Sequence, residues 1–245
     1  MTTVRCTKID TACLLQWMQT FTMMEFSLRE YCDSDYTVVR EVYATGFREH
    51  ATSIFVTVLQ RIWVQLFLLA TFLGLLELSG SPLCATLGVS GLLLVLRVSV
   101  QCLLEQGVRL GLSEDLQDIQ ASYMQPGQVA RFWVAEAGGC IVGTVAILPC
   151  LEEKGAWELK RITVLKRCRG RGIAKALCHT ALGFVASRGV ERVVLFTSMA
   201  QVDAHRLYHS LGFRKEREFV WPSWPARLVN FLVYKYSYAV DGSTE

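Results

Sequence analysis

Arg169-Gly170-Arg171-Gly172-Ile173-Ala174 joins a strand-like run, residues 157–165, to an apolar-periodic helix, residues 175–187. Glycine has no Cβ, so the backbone of this turn can approach a ligand closely. The first amide groups of the following helix have no partners within the helix, and the positive end of its dipole attracts anions. Two interpretations are open here: an anion-binding turn, or an exposed basic connection between strand and helix.

Composition limits the class of protein. The 245 residues allow one large domain or two small ones, and 25 Lys and Arg are balanced by 22 Asp and Glu. A net charge of +3 is too small for a typical nucleic-acid-binding protein, so no nucleic acid is expected as a partner. Apolar residues make up 52% of the chain and the mean hydropathy is +0.32, which predicts a membrane segment.

The cysteines and histidines do not predict a disulfide framework or a metal site. Nine cysteines are scattered along the chain without a C-x-x-C pair, a pattern typical of buried thiols in a reducing compartment. The four histidines lack metal-ligand spacing with acidic or thiol partners. A Walker sequence and a complete dinucleotide-binding fingerprint are both absent from the sequence.

The first 24 residues are interpreted as an N-terminal extension. Arg5 and Lys8 precede a moderately apolar stretch, residues 12–24, in the order found in signal peptides. Polar residues interrupt this stretch and no small-x-small site follows, which favours a short extension or an amphipathic surface segment over a cleaved signal. Residues 241–245 are interpreted as a C-terminal tail.

Residues 54–104 are the most hydrophobic part of the chain. Two runs without charge, residues 62–76 and 78–96, contain 15 and 19 residues, whereas one bilayer crossing needs about 20. Ser79-Gly80-Ser81-Pro82 between them is a turn signal, so the pattern predicts a membrane-inserted hairpin. A pair of buried core helices is the soluble alternative, and two full spans or a re-entrant hairpin fit the pattern equally.

Arginines at the outer ends of the two runs predict how the hairpin is oriented. If the hairpin enters and leaves through one face, Arg61 and Arg97 both stay in water near lipid phosphates. The flanking segments then lie on the same side of the membrane. The local excess of arginine predicts that this side is the cytosol.

Outside the hairpin the sequence alternates between short strands and helices. It predicts a strand at 26–31, a helix from the Asp33-Ser34-Asp35 cap to about His50, a helix at 115–123 capped by Ser113-Glu114-Asp115, strands at 131–135, 140–148 and 157–165, a helix at 175–187, a strand at 190–196, a helix at 202–211, and strands at 214–220 and 231–238.

Two motifs in this order resemble the GCN5-related N-acetyltransferase (GNAT) superfamily. The first is R-x-x-G-x-A at Arg169, Gly172 and Ala174, preceded by Ile162-Thr163-Val164. The second is Ala204-His205-Arg206-Leu207-Tyr208-His209-Ser210-Leu211-Gly212-Phe213, about thirty residues further on. The resemblance implies an α+β fold with a mixed, mostly antiparallel central sheet flanked by helices. It covers one acetyltransferase domain, residues 25–240, which the hydrophobic hairpin at 54–104 interrupts.

Three further features narrow the resemblance to the camello-like subgroup. They are the position of the hydrophobic insertion, Gly-Ile-Ala-Lys-Ala-Leu at 172–177, and Phe132-Trp133-Val134-Ala135. The subgroup implies a membrane-anchored enzyme of the endoplasmic reticulum that moves acetyl from acetyl-CoA to the α-amine of a cysteine S-conjugate or of aspartate. A protein lysine acetyltransferase and a non-catalytic acyl-CoA-binding scaffold are the alternatives, and the oligomeric state is left open.

The resemblance also assigns site residues. The turn is expected to hold the coenzyme A pyrophosphate, and the strand before it is expected to meet the acetyl and pantetheine groups. The expected cofactor-binding residues are Ile162, Thr163, Val164, Arg169, Gly170, Arg171, Gly172, Ile173, Ala174 and Lys175.

Two catalytic side chains are expected beside the cofactor. Tyr208 matches the acid that donates to the leaving thiolate, and a core tyrosine on an amphipathic helix is its alternative. Glu158 matches the group that removes the amine proton, and a solvent-facing strand carboxylate is its alternative. Lys160 and Arg161 either steer an anionic substrate or form a plain basic rim. No metal is expected.

Overall fold

The structure, a computed structural model, describes residues 25–127, 129–223, 226–227 and 230–240. Seven strands form one sheet in the order β1-β2-β3-β4-β5-β7-β6, in which β4 and β5 are parallel and the other neighbours are antiparallel. The strands are β1 Phe26–Glu30, β2 Arg131–Ala137, β3 Cys140–Pro149, β4 Ala156–Val164, β5 Arg192–Ser198, β6 Arg214–Val220 and β7 Leu232–Ala239.

Seven α-helices accompany the sheet in the described chain, with short 3₁₀ turns at Asp33–Asp35 and Lys166–Cys168. The helices are α1 Tyr36–Arg48, α2 Ala51–Leu59, α3 Ile62–Ser79, α4 Pro82–Ser113, α5 Ile119–Tyr123, α6 Ile173–Ala186 and α7 Val202–Ser210. The mixed, mostly antiparallel sheet flanked by helices confirms the predicted fold class.

Each face of the sheet has its own hydrophobic core, because side chains alternate between the two faces along a strand. Trp157 and Leu159 of β4 pack with α6 and with Tyr208 of α7 on one face. Val134 of β2 and Ala146 of β3 pack with α1 and α5 on the other face. The sheet is therefore covered on both sides, as expected for a strand pair with parallel direction at its centre.

The hydrophobic segment forms two long antiparallel helices, α3 and α4, joined at Gly80 and Ser81. Both helices are long and apolar enough to cross a membrane. In the most apolar 18-residue stretch of each helix, only 6% (α3) and 11% (α4) is buried. Gly80 has φ +63° and ends α3 in the left-handed conformation that glycine adopts readily. Leucine and phenylalanine side chains are exposed along α3. The two helices are therefore not buried core helices of this domain.

Most predicted bounds shift by one or two residues, and two larger differences have a clear structural cause. Helix α4 runs to Ser113, nine residues beyond the predicted end of the hairpin, because Val100, Leu104 and Val108 form a buried stripe along it. The helix predicted at 115–123 begins at Ile119, since the Asp118 side chain, 2.8 Å from the Ala121 amide, is its cap. The predicted cap residue Asp115 therefore has another role.

The cysteines are less uniformly buried than predicted. Cys150, Cys168 and Cys178 are buried, whereas Cys32, Cys84 and Cys102 are exposed. Two of the exposed thiols lie on α4, in the segment that the sequence assigns to the membrane. The predicted N-terminal extension, residues 1–24, and the predicted tail, residues 241–245, lie outside the described residues.

Candidate active site

The turn between β4 and α6 has the backbone geometry of an anion cradle. Gly170 and Gly172 have φ values of +77° and +79°, a conformation that side-chain-bearing residues rarely adopt. Gly172 caps α6, and its carbonyl accepts a hydrogen bond from the Ala176 amide at 2.9 Å. Both glycines are exposed, so the amides at the start of α6 are accessible to a ligand.

The side chains of the same turn point in different directions. Ile173 is 3% exposed and packs in the core below α6, whereas Arg171 and Lys175 are exposed at the turn and on the first turn of the helix. Ala174 is half-buried and packs at the edge of the core. The apolar side chains of the turn pack into the core, and its cations are exposed. The backbone of the turn is therefore accessible to a phosphate group.

Arg169 is fixed by contacts within the protein. Its Nε donates to the Val164 carbonyl at 2.9 Å, and its Nη2 donates to Glu49 Oε2 at 2.6 Å. Glu49 lies at the end of α1, so this arginine ties the turn to both the preceding strand and the first helix.

The strand before the turn separates from its parallel neighbour. Strands β4 and β5 pair only at Ala156, Trp157 and Glu158, which lie opposite Arg192, Val193 and Val194. Pairing of β4 with β3 continues to Val164, which lies opposite Gly143. A gap therefore opens between the C-terminal halves of β4 and β5, and Ile162, Thr163 and Val164 lie along it.

Helices α1 and α2 cross this gap. A Cβ on Gly46 would collide with the Thr163 methyl group, so α1 lies directly against β4. The Ser53 hydroxyl of α2 lies 3.5 Å from the Ala200 carbonyl, just beyond the end of β5. Helices α1 and α2, which precede the long apolar helices α3 and α4, thus cover the open end of the strand pair.

Tyr208 lies in the core that α6 and α7 form over one sheet face. It is 3% exposed, and its ring centroid lies 5.8 Å from that of Phe213 and 5.9 Å from that of Tyr236. Burial, with smaller contributions from Cys178 and Tyr236, raises the pKa of the phenol well above its ordinary value. The hydroxyl therefore stays protonated at neutral pH.

Glu158 lies on the opposite face from Tyr208, because its neighbours Trp157 and Leu159 belong to the Tyr208 core. Its side chain is 19% exposed and its Oε1 is 3.8 Å from Lys160 Nζ. Burial raises the pKa of Glu158, although Lys160 and Arg161 oppose this effect. A carboxylate with a raised pKa accepts a proton more readily, as a general base must.

Arg161 does not have either of the positions that the sequence suggested. Its side chain is only 10% exposed and its guanidinium is hydrogen-bonded to Asp115, so it is neither a basic rim nor an open substrate contact. Lys160 is half-buried beside Glu158.

The sequence did not predict the two acidic residues that pair with Arg169 and Arg161. Glu49 and Asp115 hold Arg169 and Arg161, and both lie more than forty residues from their partners. Asp115 sits in an Ser-Glu-Asp sequence that is also typical of a helix cap, which hid its long-range contact. No local signal in the sequence identifies these long-range pairs.

A strand with a glycine turn before a helix, a gap between two parallel strands and a buried tyrosine define an acetyltransferase of the GNAT class. The GNAT acetyltransferase family model matches residues 104–213. Solved GNAT-type structures share the fold: an acetyltransferase from Staphylococcus aureus has a TM-score of 0.51 at 17% identity, covering 89% of this chain and 100% of its own. A putative phosphinothricin N-acetyltransferase has a TM-score of 0.52 at 12% identity, covering 89% and 99%.

Sequence relatives are closer. N-acetyltransferase 8F1 of Rattus norvegicus is 37% identical over 220 residues, which is 88% of this chain and 98% of the relative. N-acetyltransferase 8B of Mus musculus is 36% identical over 224 residues, 90% and 96% of the two chains. The chain belongs to the N-acetyltransferase family 8, the camello-like group of GNAT enzymes, and is an acetyl-CoA-dependent N-acetyltransferase.

Proposed function

We propose that this enzyme is anchored in a membrane and transfers acetyl from acetyl-CoA to the primary amine of a small amino-acid-type acceptor. A cysteine S-conjugate is the favoured acceptor and aspartate is the second. The observation that carries the proposal is the position of helix α2, which leads into the hydrophobic hairpin and lies beside the open end of the β4–β5 gap.

The hairpin supports a membrane anchor. Helix α3 has 18 residues and is about 27 Å long at about 1.5 Å per residue, close to the bilayer core of about 30 Å. Leu66, Phe67 and Leu69 of α3 are each more than half exposed, which is unfavourable in water and favourable in lipid. We propose that the two helices span the membrane of the endoplasmic reticulum and that the catalytic domain faces the cytosol.

The hairpin supports an acceptor with an apolar part. Its exposed apolar helices favour contact with lipid, so a substrate that partitions into the bilayer is concentrated beside the enzyme. A cysteine S-conjugate carries an apolar substituent on its sulfur, whereas aspartate has none. The anchor therefore favours a cysteine S-conjugate over aspartate.

The proposed chemistry uses both sheet faces. Glu158 accepts the proton of the acceptor ammonium, directly or through water, and the free amine attacks the thioester carbonyl carbon. The C–S bond breaks, and Tyr208 donates its proton to the departing thiolate of coenzyme A. The new amide nitrogen releases its second proton to solvent, and the Tyr208 phenolate takes a proton back from solvent. Backbone amides of Ile162, Thr163 and Val164 bind the acetyl and pantetheine groups, and the turn from Arg169 to Lys175 binds the pyrophosphate.

A comparison of acceptors tests the proposal. Thiol release from acetyl-CoA is measured with the full-length protein in lipid nanodiscs, using S-benzyl-cysteine, aspartate and a lysine-containing peptide at equal concentrations. We expect the highest kcat/KM with S-benzyl-cysteine. The highest value with aspartate or the peptide would reject the favoured acceptor, and coenzyme A binding without turnover on any amine would favour a scaffold.

A further inference from the structure

A buried ion pair joins the end of the hydrophobic hairpin to the strand that lines the gap. Arg161 of β4 donates from Nε to Asp115 Oδ2 at 2.9 Å and from Nη2 to Asp115 Oδ1, a bidentate pair. Both side chains are nearly buried, with exposed fractions of 10% and 13%. Asp115 is the second residue after α4, so the pair connects the end of this helix to the sheet.

Polar neighbours complete the pair. The Tyr123 hydroxyl donates to Asp115 Oδ2, and Arg161 Nη1 donates to the Tyr43 hydroxyl at 3.1 Å. Burial alone would raise the pKa of Asp115, but hydrogen bonds and charge from Arg161, with a hydrogen bond from Tyr123, lower it. A satisfied network of this kind holds one geometry, because each member would be costly to leave unpaired.

The backbone of Arg161 is strained at the same place. It has φ +56°, one of two positive values among the described non-glycine residues. The register between β3 and β4 shifts here, since Thr144 lies opposite Thr163 and Ala146 lies opposite Lys160. The Thr144 hydroxyl donates to the Arg161 carbonyl at 2.7 Å and holds the bulge from the neighbouring strand.

This bulge lies where β4 leaves β5. Pairing with β5 ends at Glu158, and after Arg161 the strand continues only with β3. Bulges bend a strand and increase its twist, so the bulge accounts for the gap. A strained residue persists only when its surroundings fix it, and here those surroundings are Asp115, Tyr43 and Thr144.

The end of α4 is shaped to receive the arginine. Gly111 lies against the Tyr43 hydroxyl and against Arg161 Nη1, so a Cβ at this position would clash with both, at 2.7 Å from the guanidinium nitrogen. Helix α4 therefore approaches the network as closely as its backbone allows. Displacement of this helix end would move Arg161 and the bulge together.

We propose that Asp115, acting through Arg161, is a positioning residue for acyl transfer: the pair fixes the β4 bulge that opens the gap for the thioester. This inference rests on the proposed binding of acetyl-CoA in that gap. Asp115 contacts no reacting atom, so its role is in the orientation of the acetyl group and not in proton transfer.

The Asp115–Arg161 pair should affect the orientation of the acetyl group and not the binding of coenzyme A. The pyrophosphate turn begins eight residues after Arg161 and is held by its own contacts to Glu49 and Val164. Loss of the Asp115–Arg161 pair should therefore reduce kcat while coenzyme A binding stays near normal. A misplacement of about 1 Å at a reacting centre lowers a rate by about 100-fold.

The experiment uses the full-length protein in nanodiscs. Asp115→Asn combined with Arg161→Gln removes both charges, so no unpaired ion is left buried, and Thr144→Val is a milder second probe of the bulge. We expect the double variant to lower kcat by about 100-fold and to change the Kd of coenzyme A by less than about threefold. We expect Thr144→Val to lower kcat in the same direction by a smaller factor.

A second ion pair gives the matched control. Arg29 donates to both Asp35 oxygens, at 2.6 and 3.0 Å, beside the edge strand β1, three strands away from β4. Asp35→Asn with Arg29→Gln should lower the thermal midpoint and leave kcat unchanged. Equal kcat losses in the two double variants, or an unchanged kcat in the Asp115 and Thr144 variants, would overturn the proposal.

The proposed function has a separate control. If Tyr208→Phe and Glu158→Gln keep full activity, the proposed placement of the reaction in the gap is wrong. If these two variants lose activity while the Asp115 variant keeps it, only the positioning role is wrong.

Discussion

Arg169 Nη2 lies 2.6 Å from Glu49 Oε2, so the first helix is bonded to the turn proposed to hold the pyrophosphate. The same guanidinium holds the Val164 carbonyl at 2.9 Å. The pair is partly exposed, with exposed fractions of 32% and 23%. Its role is therefore to define the shape of the cradle more than to stabilise the whole fold.

Glu49→Gln should weaken the binding of acetyl-CoA modestly. The neutral amide keeps one hydrogen bond but loses the charge, a change of about 1 kcal/mol for a partly exposed pair, which is about fivefold in KM. We expect KM for acetyl-CoA to rise by this factor while kcat changes little. Arg48→Gln, which removes an exposed pair with Glu105, is the neighbouring control. A lower KM in Glu49→Gln would show that Glu49 competes with the phosphate for Arg169.

Gly172→Val should abolish coenzyme A binding at low micromolar concentrations while the protein still folds. Gly172 has φ +79°, which a β-branched residue adopts at a cost of about 1 to 3 kcal/mol. Its side chain would also stand where the ligand approaches the exposed backbone. Calorimetric titration with coenzyme A measures the loss, and circular dichroism measures the fold.

Gly183→Ala is the matched control for that experiment. Gly183 lies inside α6, no neighbour lies near the position of an added Cβ, and its backbone is helical. Alanine is preferred over glycine there by about 1 kcal/mol, so stability should rise and binding should stay unchanged. Normal binding in Gly172→Val would mean that the turn is only a connection.

Tyr208→Phe should lower kcat by about 100-fold or more while the Kd of coenzyme A stays near normal. The phenol is buried and protonated, and the substitution removes only its hydroxyl. Single-turnover measurements separate the chemical step from binding. Equal losses of rate and binding would contradict the role of acid.

Tyr236→Phe controls for the removal of a buried hydroxyl. Tyr236 is 2% exposed, its ring lies beside Tyr208, and its hydroxyl is 2.9 Å from His205 Nδ1. We expect a small loss of stability with kcat unchanged. A loss of rate as large as in Tyr208→Phe would show that packing, and not proton donation, explains both variants.

Local patterns predicted most of the elements. The strand at 214–220 has the predicted bounds, because alternation and flanking turn residues are properties of the segment itself. The turn at 169–174 was also recognisable, since glycine at positive φ and a following helix are local features. The order of these elements predicted the fold class, and the observed sheet confirms it.

The features that the sequence did not predict depend on contacts between residues far apart in the chain. The end of α4 at Ser113 depends on a stripe that packs against the domain, and the start of α5 depends on which aspartate caps it. Asp115 can cap a helix or bind an arginine, and the burial of Arg161 selects the second role. A strained Arg161 in a strand cannot be predicted from its residue type, because arginine has no preference for positive φ.

The pKa of Glu158 should control the pH dependence of the rate. Burial raises its pKa above the ordinary value of 4.5, and the general base must be ionised, so kcat should fall as the pH decreases through this raised pKa. The dependence of kcat reports groups in the bound complex, which separates Glu158 from the ionisation of the free amine. In Glu158→Gln the rate should be low and this acidic limb should be absent.

The raised pKa of Glu158 also affects the stability of the folded protein. Because the folded state raises the pKa of Glu158, the ionised carboxylate at neutral pH is less favourable in the folded protein than in the unfolded chain. Stability from this group is therefore greatest below its unfolded pKa and is lost as the pH rises through the folded pKa. Glu158→Gln should keep or raise the thermal midpoint at pH 7 while it lowers kcat. A low midpoint together with the low rate would mean that Glu158 supports the fold, and an acidic limb that persists in the variant would assign proton removal to another group.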